Sequence, residues 1–463
     1  MTSDPPSAEE VPVPDLKEKY LVTAALPYAN GRLHVGHVAG AYLPADICVR
    51  FLRLTGREAH FVCGSDENGV PITLSAMKEA VDPQVIIDRY SPQLEAAFRG
   101  LGIDFDIYGR THTPAHTEVA QAFFLRLHEE GHIQARTSEQ VYCTECEMYL
   151  PDRYVEGACH HEDCGAAGAR GDQCETCGRP IDATLLGEPE CMICRQLGRD
   201  ARGHIEVRET THWYFRLDAF EEDLRAYVDQ HPEWRETVKR FSYGLLDQGL
   251  KERSVTRDLD WGVPVPLQEA EGKVLYVWFD APIGYVTFSQ EHFAATGDAE
   301  RWREFWCGPD HGGDPAAGLL HFIGKDNTVF HSVIFPGMLI AHGDFRTADE
   351  VVANEFLNLE GDKLSTSRNY AVWVDEYLAA FPPDPLRYYL TANAPEMADS
   401  DFVWADFLQH NNAELADNLG NLIQRTLGFC AKYFDGRAPD PGDGLSEGGE
   451  ALMEEIRLAR DEI

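Results

Sequence analysis

The sequence predicts an α/β protein: a parallel sheet interrupted by a long cysteine-rich insertion, then a passage into helices. Three observations carry that reading. Apolar, β-branched runs at "KYLVTA" (19–24) and "EAHFVCGSD" (58–66) bracket a helical pattern. Strand, loop, helix and strand in that order build a sheet whose ligands sit beyond the strand carboxyl ends. Eight of the twelve cysteines fall between residues 143 and 194, and from about residue 402 apolar residues recur at helical spacing.

Residues 1–17 are acidic and proline-rich and lack the basic and apolar regions of a signal peptide, so they read as a flexible lead. The first half of the sheet takes residues 18–119. Its helix is expected from Leu33 to Leu54, kinked at Pro44 and closed by Gly56. The insertion takes residues 120–270, with knuckles first and helical material around "YFRLDAFEEDLRAYV". The second half, 271–350, resumes with strands at "KVLYVWFDAP" (273–282) and "LLHFIGKD" (319–326). A glycine-flanked loop, "EGDKLSTSRN", lies within 351–400. Helical spacing returns in 401–463 on both sides of the polar linker "DGRAPDPGDGLSEGGE". No internal repeat is visible.

Composition sets further bounds. No run of 18 apolar residues exists, so no membrane partner is expected. The 78 acidic residues outnumber 40 basic ones for a net charge of −38, and only nine of the basic residues are lysine. That balance is similar to proteins adapted to molar salt, and a halophilic archaeon is the expected source. It argues against a simple basic-groove binder, so DNA is not expected as a partner. With no export signal, the expected compartment is the cytoplasm.

The clustered cysteines form four ligand pairs: Cys143 with Cys146, Cys159 with Cys164, Cys174 with Cys177, and Cys191 with Cys194. Thiolates so spaced close tetrahedral zinc sites with no open position, which makes the metal structural, in one or two sites. Four pairs combine into two sites in three ways. His160 and His161, inside the wider Cys159–Cys164 gap, are alternative ligands. Cys48, Cys63, Cys307 and Cys430 read as core residues.

Two short motifs point to chemistry. In "ALPYANGRLHVGH" (25–37), His34 and His37 fall on one face of a helix start, where backbone N–H groups favour phosphate. Gly36 between them lets a flat base approach the backbone. Two neutral imidazoles there stabilise charge building on an attacked phosphorus. About 330 residues later, "KLSTS" (363–367) supplies a lysine and several hydroxyls suited to a triphosphate tail.

In this order the motifs resemble the HIGH and KMSKS signatures of class I aminoacyl-tRNA synthetases. Longer stretches resemble the methionyl members of that class over roughly residues 18–430. They are "ALPYANGRLHVGH", "FVCGSDENGVPI", "MYLPDRYVEGAC", "YVWFDAPIGY", "HFIGKDNTVFHSVIFPGML" and "NNAELADNLGN". The resemblance implies a Rossmann-like parallel sheet split by a zinc-binding connective insertion, a stem-contact region at 351–400, and the start of an α-helical anticodon-binding bundle. It implies activation of L-methionine by ATP with Mg2+ and transfer to tRNA(Met).

The resemblance puts the methionine pocket on Ala25, Leu26, Tyr28, Asp66, Trp278, Pro282, Tyr285 and His331. Asp66 would pair with the substrate ammonium, and its competing use is as a helix N-cap. ATP would meet His34, Gly36, His37, Gly324, Asp326, Lys363, Ser365, Thr366 and Ser367, with His34, His37 and Lys363 catalytic. It favours nested metal sites, with 159, 164, 174 and 177 inside and 143, 146, 191 and 194 outside. Asn412 would face the anticodon. The chain departs from the pattern at Thr366, where the motif carries a second lysine, and Arg368 is the nearest replacement. A leucyl- or valyl-type relative, a smaller nucleotidyltransferase and an inactive tRNA-binding relative are the competing readings. The first typically carries a large editing insertion, for which the cysteine-filled insertion here leaves little room, and the second would be far shorter than this chain and lack the knuckles.

Overall fold

The structure is a computed structural model describing residues 16–174, 176, 177, 179–366, 368–438 and 444–462. The expected lead therefore lies outside the described residues, apart from Leu16 and Lys17. The chain divides into two compact units, Met1–Phe402 and Val403–Ile463.

In the first unit, strand β1 (Lys19–Ala24) is fully buried from Leu21 onward. One helical turn (Val35–His37) and a π-turn (Val38–Tyr42) then lead into helix α1 (Leu43–Leu54). The expected kink is this π-turn, which ends two residues before Pro44. Strand β2 (Glu58–Ser65), helices α2 (Val70–Glu79) and α3 (Pro83–Gly100), strand β3 (Ile107–Arg110) and helix α4 (Pro114–Glu129) follow. The residue taken as the start of the insertion, 120, lies inside α4.

The insertion is framed by two long strands, β4 (Ile133–Cys143) and β5 (Ile205–Phe215), antiparallel along their whole length with Ile133 opposite Phe215. Helices α5 (Glu221–Asp229) and α6 (Glu236–Leu246) return the chain to the sheet. The expected strand at 273–282 is a correction: only Val274 and Leu275 are extended, and helix α7 (Val277–Thr296) begins at once. This helix is buried on nearly every side, so its sequence lacks a polar face and carries no helical periodicity to read. Gly64 and Gly109 lie where any Cβ would stand within 2.5 Å of the Phe288 ring, which lets α7 settle onto β2 and β3.

Strand β6 (Ala317–Gly324), helix α8 (Phe335–His342) and strand β7 (Glu350–Asn354) complete the sheet. Its order is β7-β6-β1-β2-β3 and every pair is parallel. The carboxyl ends of β1, β2, β6 and β7 thus open on one edge, where Ala25, Asp66, Gly324 and Asn354 stand together. A small sheet of β8 (Leu357–Leu359), β9 (Asp362–Lys363) and β10 (Ser400–Phe402) follows.

The second unit consists of helical segments Trp404–Gln409, His410–Gly420, Asn421–Tyr433 and Glu447–Glu462. Asn412 is exposed within its π-helical segment. Among the described residues, no helix is long and apolar enough to cross a membrane.

Candidate active site

The loop after β1 carries the first motif. His34 is an extended N-cap residue and His37 the third helical residue, so the two are not both in the helix as their spacing suggested. The rings stack at 3.6 Å between centroids. Each ring caps the other residue's backbone: His37 N donates to His34 Nδ1 at 3.4 Å, and His34 N donates to His37 Nδ1 at 3.3 Å. With both Nδ1 atoms accepting, the neutral rings carry their protons on Nε2. Burial pushes His34 down to about 4 and His37 well below the ordinary histidine value, so both are neutral donors at pH 7.

The second motif is brought to the first by backbone pairing. Val35 N donates to Val372 O at 3.1 Å and Val374 N to Leu33 O at 3.0 Å. Arg32 clamps Asp375 with two hydrogen bonds of 2.9 and 2.5 Å and lies over the Trp373 ring. Leu364 fills the space above Gly36: a Cβ there would stand 2.6 Å from Leu364 Cδ1 and 3.1 Å from the His34 ring. A loop side chain, rather than open space for a base, occupies that position.

His34, Gly36, His37, Gly324, Asp326 and Lys363 all line one cavity of about 350 Å³. Among the described residues Lys363 Nζ has no ion-pair partner, whereas Lys325 is held by Glu355 and Asp399 at 2.6 Å each. Ser365 and Thr366 do not line this cavity. Ser365 pairs with Tyr370 across the loop, and Thr366 O accepts from Asn369 N. Ser367 lies outside the described residues. Arg368 turns onto the loop itself, donating to Lys363 O at 3.1 Å.

A second, smaller cavity of about 70 Å³ adjoins the first at Ala25. Ala25, Leu26, Tyr28, Asp66, Trp278, Pro282, Tyr285 and His331 all line it. Phe330, Asn327 and Ala281, which the sequence reading did not single out, line it too. The Trp278 and Phe330 rings lie 3.5 Å apart between centroids and wall it from a larger cavity of about 380 Å³ lined by the half-buried Arg257. Trp278 Nε1 donates to Tyr28 Oη at 2.7 Å. His331 Nδ1 faces the Asn327 carbonyl at 3.1 Å, so it carries the proton and Nε2 accepts from Tyr285 Oη at 2.9 Å. Burial lowers His331 to about 4, which leaves this ring neutral as well.

Asp66 is only 4% exposed, and its side chain accepts one backbone N–H, from Asn68 at 3.3 Å. It does not cap the following helix, whose N-cap is Gly69. Burial, and then the nearby charge of Asp280, hold its carboxyl well above the usual range. A buried carboxylate short of partners at one end of an apolar cavity is a receptor for a cation.

The cysteines gather into two groups, Cys143, Cys146, Cys191 and Cys194, and Cys159, Cys164, Cys174 and Cys177. In each, all four sulfurs lie within 4.8 Å of one another, which fits a tetrahedral metal with Zn–S bonds of about 2.3 Å. The grouping is the nested one of the three, and each set closes with cysteine alone. Of the remaining cysteines, Cys63 and Cys307 are buried, while Cys48 and Cys430 are half-buried rather than core.

A parallel sheet split by an insertion, with a histidine pair and a lysine loop at its carboxyl edge, is the architecture of a nucleotide-binding α/β fold. A family profile described as tRNA synthetases class I (M) matches residues 20–427. The chain belongs to this family. It is 44% identical over 456 residues to the methionine–tRNA ligase of Pyrococcus furiosus, covering 96% of this chain and 61% of that one. It is 48% identical over 436 residues to that of Bacteroides fragilis, with 94% and 61% covered. The ligase of Salinibacter ruber is 47% identical over 462 residues, with 97% and 63% covered. The chain thus spans about three fifths of the length of these curated relatives. Among solved structures, Mycobacterium tuberculosis methionyl-tRNA synthetase bound by methionyl-adenylate matches with a TM-score of 0.74 at 27% identity, covering 96% of this chain and 79% of that one.

Proposed function

We propose that this chain activates L-methionine with ATP to methionyl-adenylate and pyrophosphate, and passes methionine to the 3′-terminal adenosine of tRNA(Met). The observation that carries the reading is the junction of the two cavities at Ala25, with Asp66 beyond one side and His34, His37 and Lys363 around the other. Asp66 takes the ammonium, and Trp278, Tyr285, Phe330 and Tyr28 surround the thioether, each good sulfur–aromatic contact contributing roughly 0.3–1.5 kcal/mol. The substrate carboxylate then faces the α-phosphorus of ATP, attacks in line, and pyrophosphate departs. His34 and His37 donate from Nε2 to phosphate oxygens, and Lys363 balances the charge of the leaving group. Mg2+ enters with ATP. No covalent bond to the enzyme forms, so the protein supplies orientation and charge stabilisation. A ribose hydroxyl of the tRNA then displaces AMP from the adenylate.

Zinc in both four-cysteine groups would be structural. The residues matching the anticodon stretch, Asn412 among them, would face tRNA, and charging belongs to the cytoplasm. The acid-rich, lysine-poor composition supports a source living at high salt. ATP–pyrophosphate exchange screened over all twenty amino acids tests the activity: exchange with methionine alone is expected, followed by charging of tRNA(Met). Exchange with leucine or valine instead would move the chain to a sister specificity, and none with any amino acid would make it an inactive relative.

A further inference from the structure

The π-turn that follows His37 leaves a backbone problem that one distant side chain solves. Leu43 N reaches back to Val38 O, one residue further than in an α-helix. The next donor would come from position 44, which would serve Gly40 O in an α-helix or Ala39 O in a π-helix. Position 44 is proline and has no N–H. The carbonyl that position 44 would serve, beside the ATP-side cavity that Gly40 itself lines, therefore loses that partner. Asn354, at the end of β7 and 1% exposed, supplies it: its Nδ2 donates to Gly40 O at 3.1 Å and to Ala39 O at 3.4 Å. The amide is held in that orientation because its Oδ1 accepts from Arg235 Nη1 at 2.5 Å. Arg235 stands at the start of α6, more than a hundred residues away in sequence.

We propose that Asn354, oriented by Arg235, is a positioning residue for the phosphate-binding histidines, replacing the backbone donor that Pro44 lacks. The proposal rests on the activation reading above. Asn354 touches no substrate. It fixes the turn that begins at the residue after His37, and so fixes where the His37 Nε2 proton points.

Asn354→Asp separates this role from general support of the fold. The carboxylate still accepts from Arg235 but offers no hydrogen to Ala39 or Gly40. Expected is a fall in kcat for methionine-dependent exchange of tenfold or more and a raised KM for ATP, with the Kd for methionine within twofold of the parent. Hydrogen–deuterium exchange of the peptide 38–45 is expected to speed up at least tenfold while peptides of β1 and β2 keep their rates. Adding Pro44→Ala, which returns an N–H to position 44, should recover part of both losses. Should N354D not fold, Arg235→Ala leaves the donor but frees the amide to rotate, and the same peptide-selective change of smaller size is expected. Unchanged exchange of 38–45 with unchanged kcat overturns the proposal. So does a loss of methionine affinity in step with kcat, which would reduce Asn354 to ordinary packing. If the parent protein shows no pyrophosphate exchange, the activity reading fails, while the amide measurement still decides whether Asn354 holds the turn.

Discussion

Asp66 shows how much chemistry one buried group holds in reserve. Burial raises its pKa, and an ammonium paired with it would lower it again, because the cation favours the charged carboxylate. On the proposed reading, methionine binding is therefore expected to release protons to the buffer and to tighten as pH rises. Titration calorimetry in two buffers of different ionisation enthalpy measures the release, and Asp66→Asn should abolish it. His34 works in the opposite sense. Its pKa falls on folding to about 4, so between pH 6.5 and 4 the unfolded chain binds a proton that the folded chain refuses. Its contribution to stability is full above pH 6.5 and is lost as pH falls through that window, with a limiting slope of about 1.4 kcal/mol per pH unit. Urea unfolding of His34→Asn across the window should show that slope reduced relative to the parent. The methionine-pocket residues named from the resemblance all line one cavity, whereas Phe330 escaped notice. It sits one residue before His331 in an apolar run, and nothing in composition or spacing distinguishes a wall from core there. The Thr366 departure was visible in the sequence. That Arg368 spends its guanidinium on the loop's own carbonyl was not, because an arginine reaches many partners from one position.

Elements were legible where their faces differ. Strands β1, β2 and β6 stood out as short apolar runs ending at turn residues, and α1 as an amphipathic helix. The start of helix α7, residues 277–282, reads as a strand because a helix surrounded by core has no polar side, and its aromatic and β-branched residues imitate a buried strand. The insertion posed the reverse case: cysteine spacing showed ligands but left three pairings, of which the resemblance favoured the nested one that the fold shows. Between residues 148 and 191 its strands are two to five residues long, too short to stand without a staple. Two zinc ions per chain are expected by elemental analysis, falling to one in Cys174→Ser. Chelation should open this module to proteolysis before the parallel sheet unfolds.

At the scale of the whole molecule the net charge of −38 sets the response to salt. Like charges spread over one surface repel, and raising ionic strength from 0.1 to 1 M shortens the screening length from about 10 Å to about 3 Å. Calorimetric melting temperature is expected to climb by several degrees over that range; a flat or falling profile would contradict a surface limited by self-repulsion. The sheet order has an outcome of another kind. β1 lies between β2 and β6, yet β6 is encoded almost three hundred residues after β1. On a ribosome adding 5–20 residues per second, one flank of β1 waits roughly 15–60 s for its neighbour. During that interval the nascent polypeptide leaves one edge of this strand unpaired, its N–H and C=O groups open to any other strand, so the translating protein is a natural client for a chaperone well before its sheet is complete.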